Sequence, residues 1–279
     1  MKKLKKIKDI VPLFQHKEVL LLNDAFDMFV NRGDKVISKL ILIILSLFEP
    51  CRGVGLYLSE LVKIMYPKYK DNCASKYKKK IKEVLSKKEN FNLIIGKKVY
   101  CLLDDVYCYE DNYILFHIND NIIDYILYFD FLPKKKGFTG YFAVESSKIN
   151  SFESRAHFIS IWLYFRQLTN NGYSLERKKI WKDKFYEKLG TDSSKNYADF
   201  NFKIFKPALN YILSFESSWK CDVENIKMVK VFTRQYLEIS IKVPEIKENV
   251  DTKIKEEKPK HVLNPGAPEF LKSFVSSFK

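Results

Sequence analysis

Residues 197–213 read YADFNFKIFKPALNYIL, and this stretch predicts an amphipathic helix with a proline inside it. Its apolar residues recur at the spacing of a helix with one buried face. Lys203 and Lys206 lie about one turn apart beside aromatic residues. A proline removes a backbone donor and crowds the carbonyl four residues back. We therefore expect Pro207 to bend the helix, so that its beginning lies in a groove while Ala208–Leu213 returns to the core.

The flanking sequence predicts that this helix is the third of three and is followed by strands. Trp181, Phe185 and Leu189 recur at every fourth position, which indicates a helix over residues 178–190. Three helices followed by a strand hairpin are typical of a winged helix-turn-helix domain. The predicted helices are 152–168, 178–190 and 197–213, and the predicted strands are 140–146, 217–223, 226–233 and 236–243.

The first half of the chain repeats this plan. An apolar helix over 36–49 is followed by a short helix capped by Ser59, a helix over 71–88 and a hairpin over 91–103. We therefore predict an α+β fold of two tandem winged helix-turn-helix domains with a flexible C-terminal tail. The predicted divisions are domain 1–131 with a basic arm at 1–10, domain 138–243, and a linker with an apolar tail at 244–279.

An acidic, tyrosine-rich segment closes the first half. Residues 104–130 carry seven acids and neither lysine nor arginine. A face that binds phosphate would not be built this way. We expect this segment to pack between the two halves or against a second copy of the chain.

The charge balance points to a polyanionic partner. Lysine and arginine outnumber the acids by 49 to 34, which gives a net charge of +15. Such a balance favours nucleic acid first and an anionic membrane surface second. The most apolar stretch, 37–48, is too short to span a bilayer, so no membrane partner is expected. Five scattered cysteines without a CxxC pair indicate reduced thiols and a cytoplasmic protein.

The second half resembles the iteron-binding plasmid replication initiators, the Rep proteins built from two winged helices. The most specific match is the step Lys206-Pro207-Ala208, because proline is normally excluded from a helix interior. The resemblance covers 140–243 well and 36–103 at the level of architecture. A helix after a serine-rich start matches at Ser151–Leu168, and the third helix matches at Tyr197, Phe200, Lys203, Lys206, Pro207, Ala208 and Ile212.

This resemblance implies a plasmid replication initiator that binds repeated sites in double-stranded DNA at an origin. In the family, the C-terminal winged helix reads the repeats, while the N-terminal one contacts the backbone and mediates dimerisation, so a homodimer is also expected. The resemblance further implies that the protein is not an enzyme, needs no cofactor and recruits host replication proteins. The apolar tail 262–279 is a candidate docking peptide, with packing against its own domain as the alternative.

We predict DNA-binding residues on three surfaces, and for each a solvated surface is the alternative. Lysine contacts guanine or phosphate and asparagine pairs with adenine, so the third helix of the second half is expected in the major groove. The lysine-rich helix of the first half is expected along phosphates. The predicted residues are Lys195, Asn196, Asn201, Lys203, Lys206 and Asn210 on or beside the third helix, Lys76, Lys78, Lys79 and Lys80 on the lysine-rich helix, and Lys230, Arg234 and Gln235 at the last hairpin turn.

Patterns for catalysis or metal binding are scarce. The four histidines are isolated, no glycine-rich phosphate loop occurs, and the cysteines lack the spacing of zinc ligands. Two alternatives remain open. One is a winged-helix transcription regulator or phage replication organiser, and the other is a metal-dependent nuclease or primase-like enzyme that would use acid pairs such as Asp104-Asp105.

Overall fold

In the computed structural model the chain consists of two compact units, Met1–Glu245 and Ile246–Lys279. The described residues all belong to the first unit. They are 18–23, 25–48, 54–68, 71–110, 112–128, 140–149, 151–152, 156–169, 173–189 and 200–244. The predicted basic arm, the predicted tail and the predicted boundary at 131–138 lie outside these residues, so the division into two domains stays a prediction.

The first half, residues 18–128, contains both helices and strands. The predicted helices over 36–49 and 71–88 and the hairpin over 91–103 are all present. The elements are β1 (Glu18–Leu22), α1 (Lys35–Leu47), β2 (Val54–Tyr57), α2 (Leu58–Met65), α3 (Ala74–Leu85), β3 (Asn92–Ile95), β4 (Lys98–Cys101), β5 (Leu103–Cys108), β6 (Tyr113–Ile118) and α4 (Asp120–Ile123).

The second half, residues 140–244, has a similar composition of elements. They are β7 (Tyr141–Glu145), α5 (Ser146–Ile149), α6 (Ala156–Leu168), β8 (Leu175–Trp181), α7 (Lys182–Lys188), a π-helical segment (Asn201–Phe205), α8 (Lys206–Phe215), β9 (Lys220–Cys221), β10 (Lys227–Val231) and β11 (Arg234–Lys242).

The two halves share one topology. In each half a buried helix leads into a strand, two further helices follow, and a hairpin returns to pair with that strand. The sheet order is β2-β6-β5 in the first half and β8-β11-β10 in the second, with all pairs antiparallel. A repeated order of helices and strands therefore occurs in the described residues, but the hairpin that completes it in the first half is β5–β6 and not the predicted hairpin over 91–103.

The core helix α1 begins the repeated plan. Asp34 caps its first turn, because the carboxylate oxygen Oδ1 accepts hydrogen bonds from the backbone N–H groups of Val36 at 2.7 Å and Ile37 at 3.0 Å. Nearly every residue of the helix is buried. Among the described helices, none combines the length and the apolar character that crossing a membrane requires.

The structure corrects the sequence prediction mainly by adding strands. These strands lie where a helix, or no regular element, was predicted. Residues 178–181 belong to strand β8, because Ile180 and Trp181 pair with Leu237 and Tyr236 of β11. This tertiary pairing overrides the helical spacing that continues through Phe185.

The acidic segment also contains a hairpin, formed by β5 and β6. Its valine, tyrosine, isoleucine and phenylalanine residues favour strands, while its acids had suggested turns. Downstream of this hairpin, Leu127 forms a bridge with Leu21 of β1, and Tyr128 stacks on Tyr141 of β7 at a centroid distance of 3.9 Å. Because β1 pairs with β7, the end of the segment lies between the two halves, as predicted. Asp111 and Asp130 lie outside the described residues.

A buried carboxylate holds the C-terminal end of α8 against both α5 and α6. Glu216 is only 2% exposed. Its carboxylate accepts hydrogen bonds from Trp162 Nε1 at 2.8 Å and from Lys148 Nζ at 2.8 Å, and Arg166 Nη1 lies at 3.8 Å. A buried charge is tolerated when it is paired and hydrogen-bonded in this way.

Two basic side chains tie the first half to the second. Lys39, 3% exposed on α1, donates hydrogen bonds to the carbonyl oxygens of Met65 at 2.6 Å and Phe152 at 3.2 Å. Arg32 donates to the carbonyl oxygens of Glu187 at 2.7 Å and Lys188 at 3.2 Å, at the end of α7. Cations at the C-terminal end of a helix complement its exposed carbonyl groups and its dipole.

Replacing Glu216 by alanine is expected to lower the free energy of unfolding by about 3 kcal/mol, because the buried indole N–H of Trp162 loses its acceptor and Lys148 keeps only Glu145 of its two carboxylate partners. Urea unfolding followed by circular dichroism measures the change. Glu224→Ala is the matched control, because that carboxylate is 80% exposed. We expect this control to cost less than about 1 kcal/mol. Equal losses for the two variants would contradict the role assigned to Glu216.

Candidate nucleic-acid interface

A π-helical segment, rather than a continuous α-helix, leads into Pro207. The backbone N–H of Lys206 donates to the carbonyl of Asn201, five residues back. Pro207 is the second residue of α8 and has no backbone N–H to donate to the Lys203 carbonyl four residues back. The helix is thus not regularly bonded through Pro207, while the predicted bend stays a prediction.

The π-helical segment brings two phenylalanine rings to one face. Phe200 and Phe205 are five residues apart, which in an α-helix would separate them by about 140° around the axis. Here their ring centroids lie 6.1 Å apart, and both rings are buried. Phe205 meets Phe185 at 5.5 Å, and Phe200 meets Tyr186 at 4.7 Å. This aromatic cluster anchors the beginning of the helix on α7.

The opposite side of this helix faces solvent and forms the centre of the candidate interface. We name it the α8 face, and it carries one aromatic, two basic and one amide side chain. Phe202 is 70% exposed, although an isolated apolar side chain gains nothing from solvent. The residues of the α8 face are Phe202, Lys203 and Asn210, which are exposed, and Lys206, whose side chain is 14% exposed.

Asn201 is a correction to the predicted site. Its side chain is only 8% exposed, on the same side as the buried residues Phe205 and Ala208. It therefore cannot reach a base edge in this conformation. Lys195 and Asn196, also predicted, lie outside the described residues. Phe202 was not predicted as a site residue, because phenylalanine is most often a core residue and its neighbours Phe200 and Phe205 are buried.

Lys206 is held by partners within the chain. Its Nζ atom pairs with a carboxylate oxygen of Glu224 at 2.5 Å and lies 5.6 Å from the centroid of the Phe202 ring. The two contacts orient the basic group at the base of the β10–β11 hairpin. A carboxylate that is 80% exposed at this point would oppose a phosphate group that approaches Lys206.

The turn of the β10–β11 hairpin is formed by Phe232 and Thr233, so the predicted placement of Arg234 and Gln235 at the turn is wrong. These two residues open β11, where they pair with Val231 and Lys230. Lys230, Arg234 and Gln235 are nevertheless all exposed.

Arg234 is oriented by an aromatic contact. Its guanidinium carbon lies 4.6 Å from the centroid of the Trp181 ring. Lys184 Nζ approaches the same ring at 5.6 Å. Trp181 thus brings two cations together beside the start of α7, where cation–π contacts fix their positions.

The lysine-rich helix α3 presents a second basic surface. Ile81 and Leu85 are buried on its inner face. Its exposed side carries Lys76, Lys79 and Lys80, with Lys78 half-buried beside them.

The β5–β6 hairpin of the first half has a different charge. Asp105 pairs with Lys88 at 3.0 Å and accepts a hydrogen bond from Tyr107 at 3.0 Å. The hydrogen bond with Lys88 lowers the pKa of Asp105 and raises the pKa of Lys88. An acidic hairpin of this kind is unsuited to phosphate, in contrast to the basic β10–β11 hairpin.

The described part of the chain offers little for catalysis. No group of three or more histidine, cysteine, aspartate or glutamate side chains that could hold a metal ion occurs among its residues. Burial raises the pKa of Cys221 to about 11, so at neutral pH this thiol is protonated and weakly nucleophilic.

Comparison with known proteins places the fold beside one DNA-bound initiator. No family model matches the sequence, and no curated protein is similar to it in sequence. The structure is similar to the crystal structure of the Pi initiator protein in complex with iteron DNA, with a TM-score of 0.59 and 14% sequence identity. The similarity covers 83% of this chain and 99% of that chain. The resemblance to iteron-binding initiators is thus confirmed at the level of the fold.

Glu224→Gln is expected to strengthen binding to double-stranded DNA several-fold at low salt. The substitution removes the carboxylate that pairs with Lys206 beside the α8 face, and so leaves the lysine charge available for phosphate. Fluorescence anisotropy with labelled duplexes measures the affinity. Asp105→Asn is the matched control, because it also removes one exposed carboxylate paired with a lysine. If both variants gained affinity equally, the effect would be one of net charge and the assignment of Lys206 would be wrong.

Proposed function

We propose that this protein is a replication initiator that binds repeated sites in double-stranded DNA. The observation that carries the proposal is the similarity, over 83% of the chain, to the Pi initiator protein in complex with iteron DNA. The exposed α8 face supports it independently, since lysine, asparagine and phenylalanine are side chains that contact guanine, adenine and the thymine methyl group.

The two halves act, in this proposal, as tandem winged helix-turn-helix domains. In the second half, the π-helical segment and α8 form the recognition helix in the major groove. The β10–β11 hairpin is the wing, and its cations approach the phosphate backbone. In the first half, α3 contributes phosphate contacts through its lysines, whereas the acidic β5–β6 hairpin stays away from the backbone.

The remaining parts of the proposal concern partners and surroundings. The bound protein recruits host replication proteins and performs no chemistry of its own. A homodimer is a further assembly state, and the site of action is the cytoplasm. The similarity in fold to a DNA-bound initiator and the positive net charge of +15 support the DNA-binding role on which these parts of the proposal depend.

Footprinting of the purified protein on the DNA that flanks its own gene tests the proposed function. An initiator is expected to protect several direct repeats of about 20 base pairs, or roughly two helical turns. Protection of a single inverted repeat in the promoter would favour a transcription regulator instead. Magnesium-dependent nicking of the DNA would favour a nuclease, and protection without sequence preference would contradict both DNA-reading functions.

The double variant Lys203→Ala with Lys206→Ala is expected to lose sequence-specific binding while folding normally. If both lysines contact phosphate, the negative slope of log K against log salt should lose about 1.8 in magnitude, or about 0.9 for each contact. Gel shifts over a range of salt concentrations measure both quantities. Lys97→Ala with Lys98→Ala is the control, since these lysines are exposed in the β3–β4 hairpin. Unchanged affinity of the first variant at moderate salt would contradict the interface.

A further inference from the structure

The turn of the β10–β11 hairpin carries a phenylalanine that folding does not explain. Phe232 is 93% exposed, so its ring lies almost wholly in water. Its φ angle is +54°, in the left-handed region that bulky side chains rarely occupy. Two-residue hairpin turns with positive φ favour asparagine, aspartate and glycine, which adopt this conformation with less strain. The backbone therefore presents this ring at the tip at a cost to the fold.

Basic and polar side chains surround this apolar tip. Lys230 and Gln235 form the second residue pair from the turn, and both are exposed. Arg234 pairs with Val231 directly below the tip and is held by the Trp181 ring at 4.6 Å. An apolar ring flanked by cations is complementary to a partner that has anionic groups on its surface and an apolar interior. Duplex DNA has this character, since phosphates border each groove and stacked bases lie between them.

We propose that Phe232 is an apolar wedge that enters the minor groove of the duplex and unstacks one base step. Lys230 and Arg234 contact the phosphates on the two sides of the groove, which sets the depth of the hairpin tip. Apolar side chains inserted in this manner kink DNA towards the major groove. This inference rests on the proposed function and adds to it the means by which the protein distorts its site.

The wedge differs from Phe202, the other exposed phenylalanine of the second half. Phe202 lies on the α8 face under Lys206 Nζ at 5.6 Å, where it can contact thymine methyl groups without unstacking. Phe232 follows the last strand pair, Val231 with Arg234, and is 93% exposed, a geometry suited to insertion.

The test uses the full chain and the duplex sites that footprinting identifies. The base analogue 2-aminopurine replaces a base, one position at a time, at the edges of the protected site. Its fluorescence rises when it is unstacked from its neighbours. Wild-type protein is expected to raise the fluorescence at one step and to bend the duplex in a circular-permutation gel assay. Phe232→Asn removes the ring and introduces a residue that tolerates the positive φ angle of this turn. This variant should lose both signals and weaken binding about tenfold, the size of one lost base–aromatic stack.

Two further variants serve as controls. Phe232→Trp keeps an aromatic wedge and is expected to retain the fluorescence rise and the bend. Tyr173→Ala removes a ring that is 69% exposed near the other end of the same sheet, and it should behave as wild type. Thermal unfolding of Phe232→Asn should show a folded protein of equal or greater stability, because the turn is less strained.

The outcomes separate this inference from the proposed function. A wild-type footprint together with unchanged fluorescence and bending by Phe232→Asn would overturn the wedge and leave the initiator function standing. A change in the sedimentation of the free protein on that substitution, with DNA distortion intact, would show that Phe232 contacts another protein copy and would also overturn the wedge. The absence of any wild-type footprint would overturn both.

Discussion

Pro207 imposes the constraint on which the candidate interface depends. Proline cannot donate the hydrogen bond that would continue an α-helix, and its ring crowds the carbonyl of Lys203 four residues back. The chain resolves this with a bond from Lys206 N–H to the Asn201 carbonyl, which widens the turn. The wider turn places Phe200 and Phe205 on one buried face and leaves Phe202 and Lys203 in solvent. A proline that would disrupt an ordinary helix thus sets which side chains the helix presents.

Polar contacts fix α8 and its neighbour α7 relative to the rest of the chain. Glu216 holds the end of α8 against Lys148 and Trp162, and Arg32 of the first half binds the carbonyl groups at the end of α7. Glu216 is costly to remove, because the buried indole N–H of Trp162 would then lack an acceptor. The interface is therefore built on a rigid support, and the charged contacts at its surface, such as Lys206 with Glu224, are the adjustable part.

Hydrophobic periodicity was sufficient to predict most of the helices and the last hairpin, and the Lys-Pro-Ala step was sufficient to predict the resemblance in fold. Contacts between distant residues account for what was missed. Strand β8 follows from pairing with β11, which no local spacing of Trp181 and Phe185 reveals. The shared buried face of Phe200 and Phe205 follows from the π-helical segment, and side-chain order alone does not distinguish that segment from an α-helix. Similarly, Arg234 was misplaced by two residues because an unfavourable phenylalanine occupies the hairpin turn.

The central claim is that the α8 face touches base edges, and site-directed photo-cross-linking measures this contact most directly. A benzophenone amino acid would replace Phe202 in the full chain, which would then be irradiated with duplexes selected from a random library by the wild-type protein. The account predicts cross-links to bases at one fixed position of each repeated site, and few or none from the same amino acid at the exposed position of Tyr173. Cross-links of equal yield from both positions, or none from position 202 in a variant that still binds, would contradict it.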